Sequence, residues 1–210
     1  MIRILIADDH AVVRQGLKKI LSEHSDMAVL GEAENGNDVL AQIRQKKWDI
    51  VILDITMPGK SGFDVLKDIR AERPTLPVLI LSMLPEEQFA KRSIKAGASG
   101  YLTKGSAPEE LVRAIRKIYD GGKYISPTLA EQLAGDLNIQ TEKPAHEALS
   151  DREFQVLLKL AEGKSITAIA AELSLSAKTI TTYRSRILQK MNMRSNAELT
   201  RYVIEHHLVD

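Results

Sequence analysis

Five side chains with chemical reach close short apolar runs along the first half of the chain. Asp8 and Asp9 follow IRILIA, Asp54 ends DIVILD, Ser82 ends PVLILS and Lys104 ends SGYLTK. Three carboxylates gathered at one place repel each other unless a cation neutralises them, and an all-oxygen set with room for water suits Mg2+ better than zinc. The backbone carbonyl of Thr56, two residues past Asp54, offers one more oxygen to such an ion. A carboxylate beside a divalent ion and a lysine is equipped to take a phosphoryl group, with the ion and the ammonium balancing charge on the equatorial oxygens. Lys104 and the Ser82 hydroxyl are the donors for that role. Each residue alone has an ordinary reading: an aspartate after a strand is a common turn or helix-cap residue, and a lone serine or lysine is a common surface group. The combination weighs more, because separate run ends supply the residue types that one reaction needs.

The elements that must position these residues are legible in the periodicity. IRILIA, MAVLGEA, DIVILD, PVLILS and SGYLTK read as five strands, each followed by a helical pattern. That alternation implies a parallel sheet covered on both faces, and ligands collect at the carboxyl edge of such a sheet. All the candidate chemistry falls on this one rim. From Ser150 onward the β signal disappears, and four helices are predicted at about 150–162, 166–173, 177–191 and 196–207. Ser150 with Glu153 forms a capping-box start, and Gly163 suits a helix C-terminus. Between the halves, GGKYISPTLAEQLAGDL predicts a short helix after Pro127, and NIQTEKPAHEA reads as a polar linker. The expected organisation is an α/β domain over 1–121, a linker over 122–146 and an all-α domain over 147–210.

Composition bounds the alternatives. With 210 residues and 44% apolar content the chain can fill two modest cores. It has no cysteine, hence no disulfide framework and no thiolate metal site, which fits a reducing cytoplasm. The first residues meet two aspartates after a short apolar run, unlike a signal peptide, and the uncharged run Pro74 to Pro85 is too short to span a bilayer, so no membrane association is expected.

The net charge of +1 conceals a basic element: residues 174–197 contain Lys178, Arg184, Arg186, Lys190 and Arg194 and no acid. A helix over 166–173, a break at LSLS and a helix over 177–191 with Ser176 as N-cap have the lengths of a helix-turn-helix. At about 100° per residue, Ile180, Tyr183, Ile187, Leu188 and Met191 share an apolar side, while Lys178, Thr181, Thr182, Ser185, Arg186 and Gln189 share the opposite one. Such an acid-free face can enter a major groove, with Lys190 and Arg194 near its edge suited to phosphates. A solvated surface helix is the ordinary alternative, and the preceding cap-and-turn pattern weighs against it. In the last helix, Ala197, Leu199, Val203 and Ile204 either close the domain core or form a dimer contact.

The ordered set ADDH, LDITMPGKSG, LS and YLTK resembles the receiver domain of two-component response regulators, from residue 2 to about 120. The resemblance implies a flavodoxin-like (βα)5 fold with strand order 2-1-3-4-5. It assigns Asp8 and Asp9 to metal binding, Asp54 to phosphoacceptance, Ser82 and Tyr101 to switching and Lys104 to phosphate binding. Tyr101 has its own ordinary reading as a strand packing residue. Gly105 departs from the proline common in receivers, which leaves the preceding peptide conformation open. The tail from 147 to 210 resembles the LuxR-type domain of the NarL/FixJ subfamily, carried by Leu149, Ser150, Arg152, Glu153, Gly163, Ile169, Ala170, Leu173, Lys178, Thr179, Ile187 and Lys190. Thr181 and Tyr183 depart from the pattern, so an operator sequence does not transfer. The implied partners are a sensor histidine kinase as phosphodonor, double-stranded DNA, RNA polymerase and a second copy of the chain. The implied switch is release of the DNA-reading helix when the charge of a phosphoryl group draws Lys104 and Ser82 inward.

Two other classes compete. A metal-dependent hydrolase using Asp54 would need an acid or base to complete turnover, and His10, the nearest histidine, reads as a helix start. A tail that binds RNA would be expected to carry a stacking platform, whereas Phe154, Tyr183 and Tyr202 are scattered over helical core positions.

Overall fold

The computed structural model describes residues 1–127, 129–131, 144–206 and 208. It divides into two compact units, Met1–Ile139 and Gln140–Asp210. In the first unit five strands alternate with five helices: β1 (Ile2–Ala7), α1 (Ala11–Ser22), β2 (Met27–Ala33), α2 (Gly36–Gln45), β3 (Ile50–Leu53), α3 (Gly62–Glu72), β4 (Val78–Ser82), α4 (Glu86–Lys95), β5 (Gly100–Thr103) and α5 (Pro108–Tyr119). The strands form one parallel sheet, as the sequence pattern implies, in the order β2-β1-β3-β4-β5, as the family resemblance implies. The alternating residues Ile4, Ile6, Ile50, Ile52, Leu79 and Leu81 share a core with Leu17 and Leu21 of α1 and Leu111, Ile115 and Ile118 of α5. Every residue of β3 and β4 is buried, which is why these strands read as unbroken apolar runs, while edge strand β2 is exposed at Leu30 and half-buried at the four positions around it.

The register is what matters for the rim. Ala7 pairs with Leu53, and the Asp54 amide continues the ladder by donating to the Ala7 carbonyl at 2.8 Å. Ser82 pairs with Thr103, and the Lys104 amide donates to the Ser82 carbonyl at 2.8 Å. Residues far apart in sequence therefore leave the sheet side by side. The helix expected after Pro127 is present at 127 and 129–131, where the Ser126 hydroxyl accepts from the Leu129 amide at 3.1 Å. Residue 128 and residues 132–143, about half of the expected linker, lie outside the described residues.

The second unit opens with a 3-10 turn, Ala145–Ala148, where the sequence reading has linker, and continues with α6 (Asp151–Ala161), α7 (Ile166–Glu172), α8 (Ala177–Lys190) and α9 (Asn196–Glu205). The turn is tied down because His146 Nδ1 lies 3.0 Å from the Tyr202 hydroxyl. Serines 150, 165, 176 and 195 each cap the helix that follows, and Ser150 with Glu153 completes the capping box. Phe154, Leu157, Ile169, Ile180, Ile187, Leu199 and Val203 are buried. Leu199 and Val203 are buried, so the last helix closes the core of its own unit, while Ala197 and Ile204 of its apolar set face outward. No helix among the described residues is long and apolar enough to cross a membrane.

Candidate functional site

The rim brings three charged groups into direct contact. Lys104 Nζ lies 2.6 Å from Asp8 Oδ2 and 2.9 Å from Asp54 Oδ2, and the side chains of Lys104, Asp8 and Asp54 are 7%, 3% and 0% exposed. Burial works against the Lys104 ammonium, but hydrogen bonds and attraction from Asp54 and Asp8 outweigh it and raise its pKa. Asp54 is further held by Thr56, whose amide donates to Oδ1 at 3.0 Å and whose hydroxyl lies 2.9 and 2.8 Å from Oδ1 and Oδ2. The following turn depends on Gly62, where a Cβ would come within 2.3 Å of the Asp54 carbonyl oxygen.

Asp9 is exposed, with His10 Nδ1 at 2.9 Å from its Oδ1. His10 starts α1 as expected, but its ring also lies 3.2 Å from Asp8 Oδ1, so it belongs to the same cluster. Ligand atoms of Asp8, Asp9, His10 and Asp54 all lie within 4.8 Å of one another. The donor chemistry is that of a hard-cation site: carboxylate oxygens dominate and no sulfur is present.

Ser82 and Tyr101 share an attachment. The buried Ser82 hydroxyl accepts from the Leu84 amide at 3.2 Å, and the Tyr101 hydroxyl donates to the Leu84 carbonyl at 2.8 Å. Tyr101 is 1% exposed, and burial pushes its phenol well above the usual range. The Lys104–Gly105 peptide, left open by the sequence, is trans.

Sequence reading missed the buried Arg14 and the hydroxyl of Thr56. Arg14 Nη1 donates to the Asp8 carbonyl at 2.8 Å, while Nε and Nη2 reach Glu32 Oε2 at 3.1 Å and Glu34 Oε1 at 2.5 Å. The signal for a buried arginine was its place in the apolar pattern of α1, and nothing local named its acceptors.

In the second unit α8 presents the expected face. Lys178, Thr181, Thr182, Ser185, Arg186, Gln189 and Lys190 are exposed, as is Arg194 beyond it, while Ile180, Ile187 and Met191 are buried. Thr179 is half-buried, with its hydroxyl 2.8 Å from that of the capping Ser176. The hydroxyls of Thr181, Thr182 and Ser185 donate to carbonyls four residues back, which leaves acceptor lone pairs outward. Lys190 is engaged: its Nζ donates to the buried Glu153 carboxylate at 2.6 Å and so ties α8 to α6.

Residues 4–116 match the family model of the response regulator receiver domain, and residues 147–203 match that of bacterial regulatory proteins of the luxR family. The chain is 37% identical over 211 aligned residues to the response regulator GacA of Pseudomonas aeruginosa, covering 100% of this chain and 99% of that protein. Among solved structures, RcsB of Salmonella enterica serovar Typhimurium bound to promoter rprA in the presence of the phosphomimetic BeF3− matches with a TM-score of 0.66 and 26% identity, covering 96% of this chain and 97% of that one. A structure of two RcsB dimers bound to two parallel DNAs matches with a TM-score of 0.61 and 25% identity, covering 96% and 97%. With a receiver-domain match over the first unit, a luxR-family match over the second and a relative matched along its whole length, the chain belongs to the NarL/FixJ-type response regulators, the DNA-binding transcriptional regulators of two-component systems.

Proposed function

We propose that Asp54 accepts a phosphoryl group from a sensor histidine kinase and that this event controls DNA binding by the helical unit. The observation carrying the proposal is the buried contact of Lys104 with both Asp8 and Asp54, because an ammonium shared by two carboxylates is poised to follow new negative charge. In the transfer, one Asp54 carboxylate oxygen forms a bond to phosphorus as the P–N bond of the phosphohistidine donor breaks, and the imidazole leaves with its proton. The Thr56 hydroxyl, which reaches both Asp54 oxygens, gives up one of them so that it can attack. Asp8, Asp9, Asp54 and the Thr56 carbonyl are the residues that would hold Mg2+, which when bound supplies charge balance on the transferred group. The chain acts once per signal and releases the phosphoryl group slowly, since no described acid or base beyond the cluster itself stands ready to drive turnover.

Ser82 and Lys104 then turn toward the phosphoryl oxygens. Because the Ser82 hydroxyl and Tyr101 both hold the Leu84 main chain, the loop before α4 answers that movement. Within the helical unit Lys178, Thr179, Thr181, Thr182, Ser185, Arg186, Gln189 and Arg194 meet DNA, and Lys190 joins them at phosphate to the extent that its pair with Glu153 allows. Functional boundaries follow the sequence reading: receiver 1–121, linker 122–146 and DNA-binding domain 147–210. The active form is a cytoplasmic homodimer that engages RNA polymerase at its promoter; the dimeric, DNA-bound RcsB relative supports the dimer. Promoter DNA affinity of the full chain, measured by fluorescence anisotropy with and without acetyl phosphate, tests the switch. Wild type is expected to gain affinity and Asp54→Ala to gain none; an equal gain in both would refute the control by Asp54.

A further inference from the structure

The Asp8 and Asp9 pair sits on a loop, and a metal site built on a loop is only as well aimed as the groups that fix that loop. Arg14 is buried in the first turn-and-a-half of α1, and its guanidinium meets three acceptors from two sides. Nη1 holds the main-chain carbonyl of Asp8 at 2.8 Å, which sets the peptide plane between the two acids. Nε and Nη2 reach Glu32 at the end of β2 and Glu34 just beyond it. A buried cation is costly unless it is paired, and a simple ion pair would need only one carboxylate. Using the planar fork to bridge an acid's own backbone to the neighbouring strand is a geometric task that a lysine cannot copy. From this we infer that Arg14 is a positioning residue for cation binding: it fixes the Asp8–Asp9 peptide so that both carboxylates face Asp54. The inference rests on the proposed metal role of Asp8 and Asp9.

Charge alone predicts the opposite sign, which makes the test sharp. A cation near a metal site repels the ion, so deleting Arg14 for its charge would tighten binding, whereas deleting it as a positioner weakens binding. The experiment titrates the full-length chain with Mn2+, a spectroscopically visible substitute for Mg2+, and reads free ion by electron paramagnetic resonance. Arg14→Met is expected to raise the Kd about tenfold, the usual cost of losing a group that orients metal ligands. Lys18→Met, which removes the other cation on Glu32 at 2.6 Å without touching Asp8, is expected to leave the Kd unchanged or lower it. Arg14→Lys keeps the charge and the stem and is the second variant should the methionine protein not fold; it is expected to weaken binding by a smaller factor. Wild-type or tighter affinity in a folded Arg14 variant overturns the inference while Asp8→Asn still abolishes uptake. A wild-type chain that takes up no Mn2+ overturns the metal site and this inference together.

Discussion

The receiver rim and the DNA-facing helix solve opposite problems. On the rim, Lys104, Asp8 and Asp54 are withdrawn from water and come from three different strand ends, Lys104 lying 50 residues beyond Asp54 and farther still beyond Asp8. On α8 the functional side chains, apart from the half-buried Thr179, are exposed, gathered along one helix face and positioned by local periodicity. The difference teaches that the two functions draw on different energies. Buried charges are held in place only while every partner remains, so the rim is a two-way device whose balance one added charge can tip. The helix face carries little of the fold's stability, and its chemistry can vary without endangering the core.

The largest way to break the contrast is Lys104→Met. It leaves two buried carboxylates facing each other, and removal of one partner of a buried pair costs about 3 kcal/mol or more. Thermal melts in metal-free buffer should show a lowered midpoint for the first unit, with partial recovery on adding Mg2+; an unchanged melt would mean that the rim is not electrostatically strained. Next comes Glu153, the one buried acid among the described residues of the helical unit. Glu153→Ala removes the capping box and the Lys190 contact, with an expected cost of about 1–2 kcal/mol in urea unfolding. Burial raises the Glu153 carboxyl, but Lys190 and Ser150 outweigh it and hold its pKa below the ordinary 4.5. A lowered folded-state pKa contributes stability that is present above the ordinary value and lost as pH falls through the folded one. Amide exchange in α6 and α8 should therefore accelerate as pH drops below 4.5 after correction for intrinsic rates, and should do so less in Glu153→Gln.

A smaller effect has the opposite sign. Ser174 follows α7 with φ of 52°, a left-handed conformation that costs an L residue about 1 kcal/mol. Ser174→Gly should stabilise the helical unit by about 0.5–1 kcal/mol, readable as a raised melting midpoint. The smallest effect on stability belongs to the exposed face. Arg186→Ala should change unfolding by less than about 0.5 kcal/mol. The same change should weaken DNA binding and reduce the slope of log affinity against log salt by about 1. A destabilised Arg186→Ala protein with unaltered DNA binding would erase the distinction between the two regions.

The contrast also explains what was legible in the sequence. Strands β1 to β5 announced themselves as apolar runs because a doubly covered parallel sheet leaves no polar alternation, and a parallel register then places their last residues on one edge. The outward set on α8 was legible because helical period alone fixes it. Pairings that depend on tertiary packing were not. Arg14 reads as one polar residue in an amphipathic helix, and only the fold carries it beneath the Asp8 carbonyl. Lys190 reads as a phosphate contact until α6 brings Glu153 to it from 37 residues away. Leu199 and Val203 fit an interface as well as a core, since an apolar stripe does not say which surface covers it.

The central claim meets its most direct test in the chemistry of Asp54 itself. The chain is treated with acetyl phosphate and Mg2+, the acyl phosphate is reduced with borohydride, and peptides are sequenced by mass spectrometry. Reduction converts a phosphorylated aspartyl residue to the corresponding alcohol, so the account predicts that conversion at Asp54, its loss when Mg2+ is withheld, and its absence in Asp54→Asn. Conversion at another residue with Asp54 untouched, or an equal yield without any divalent ion, would contradict it.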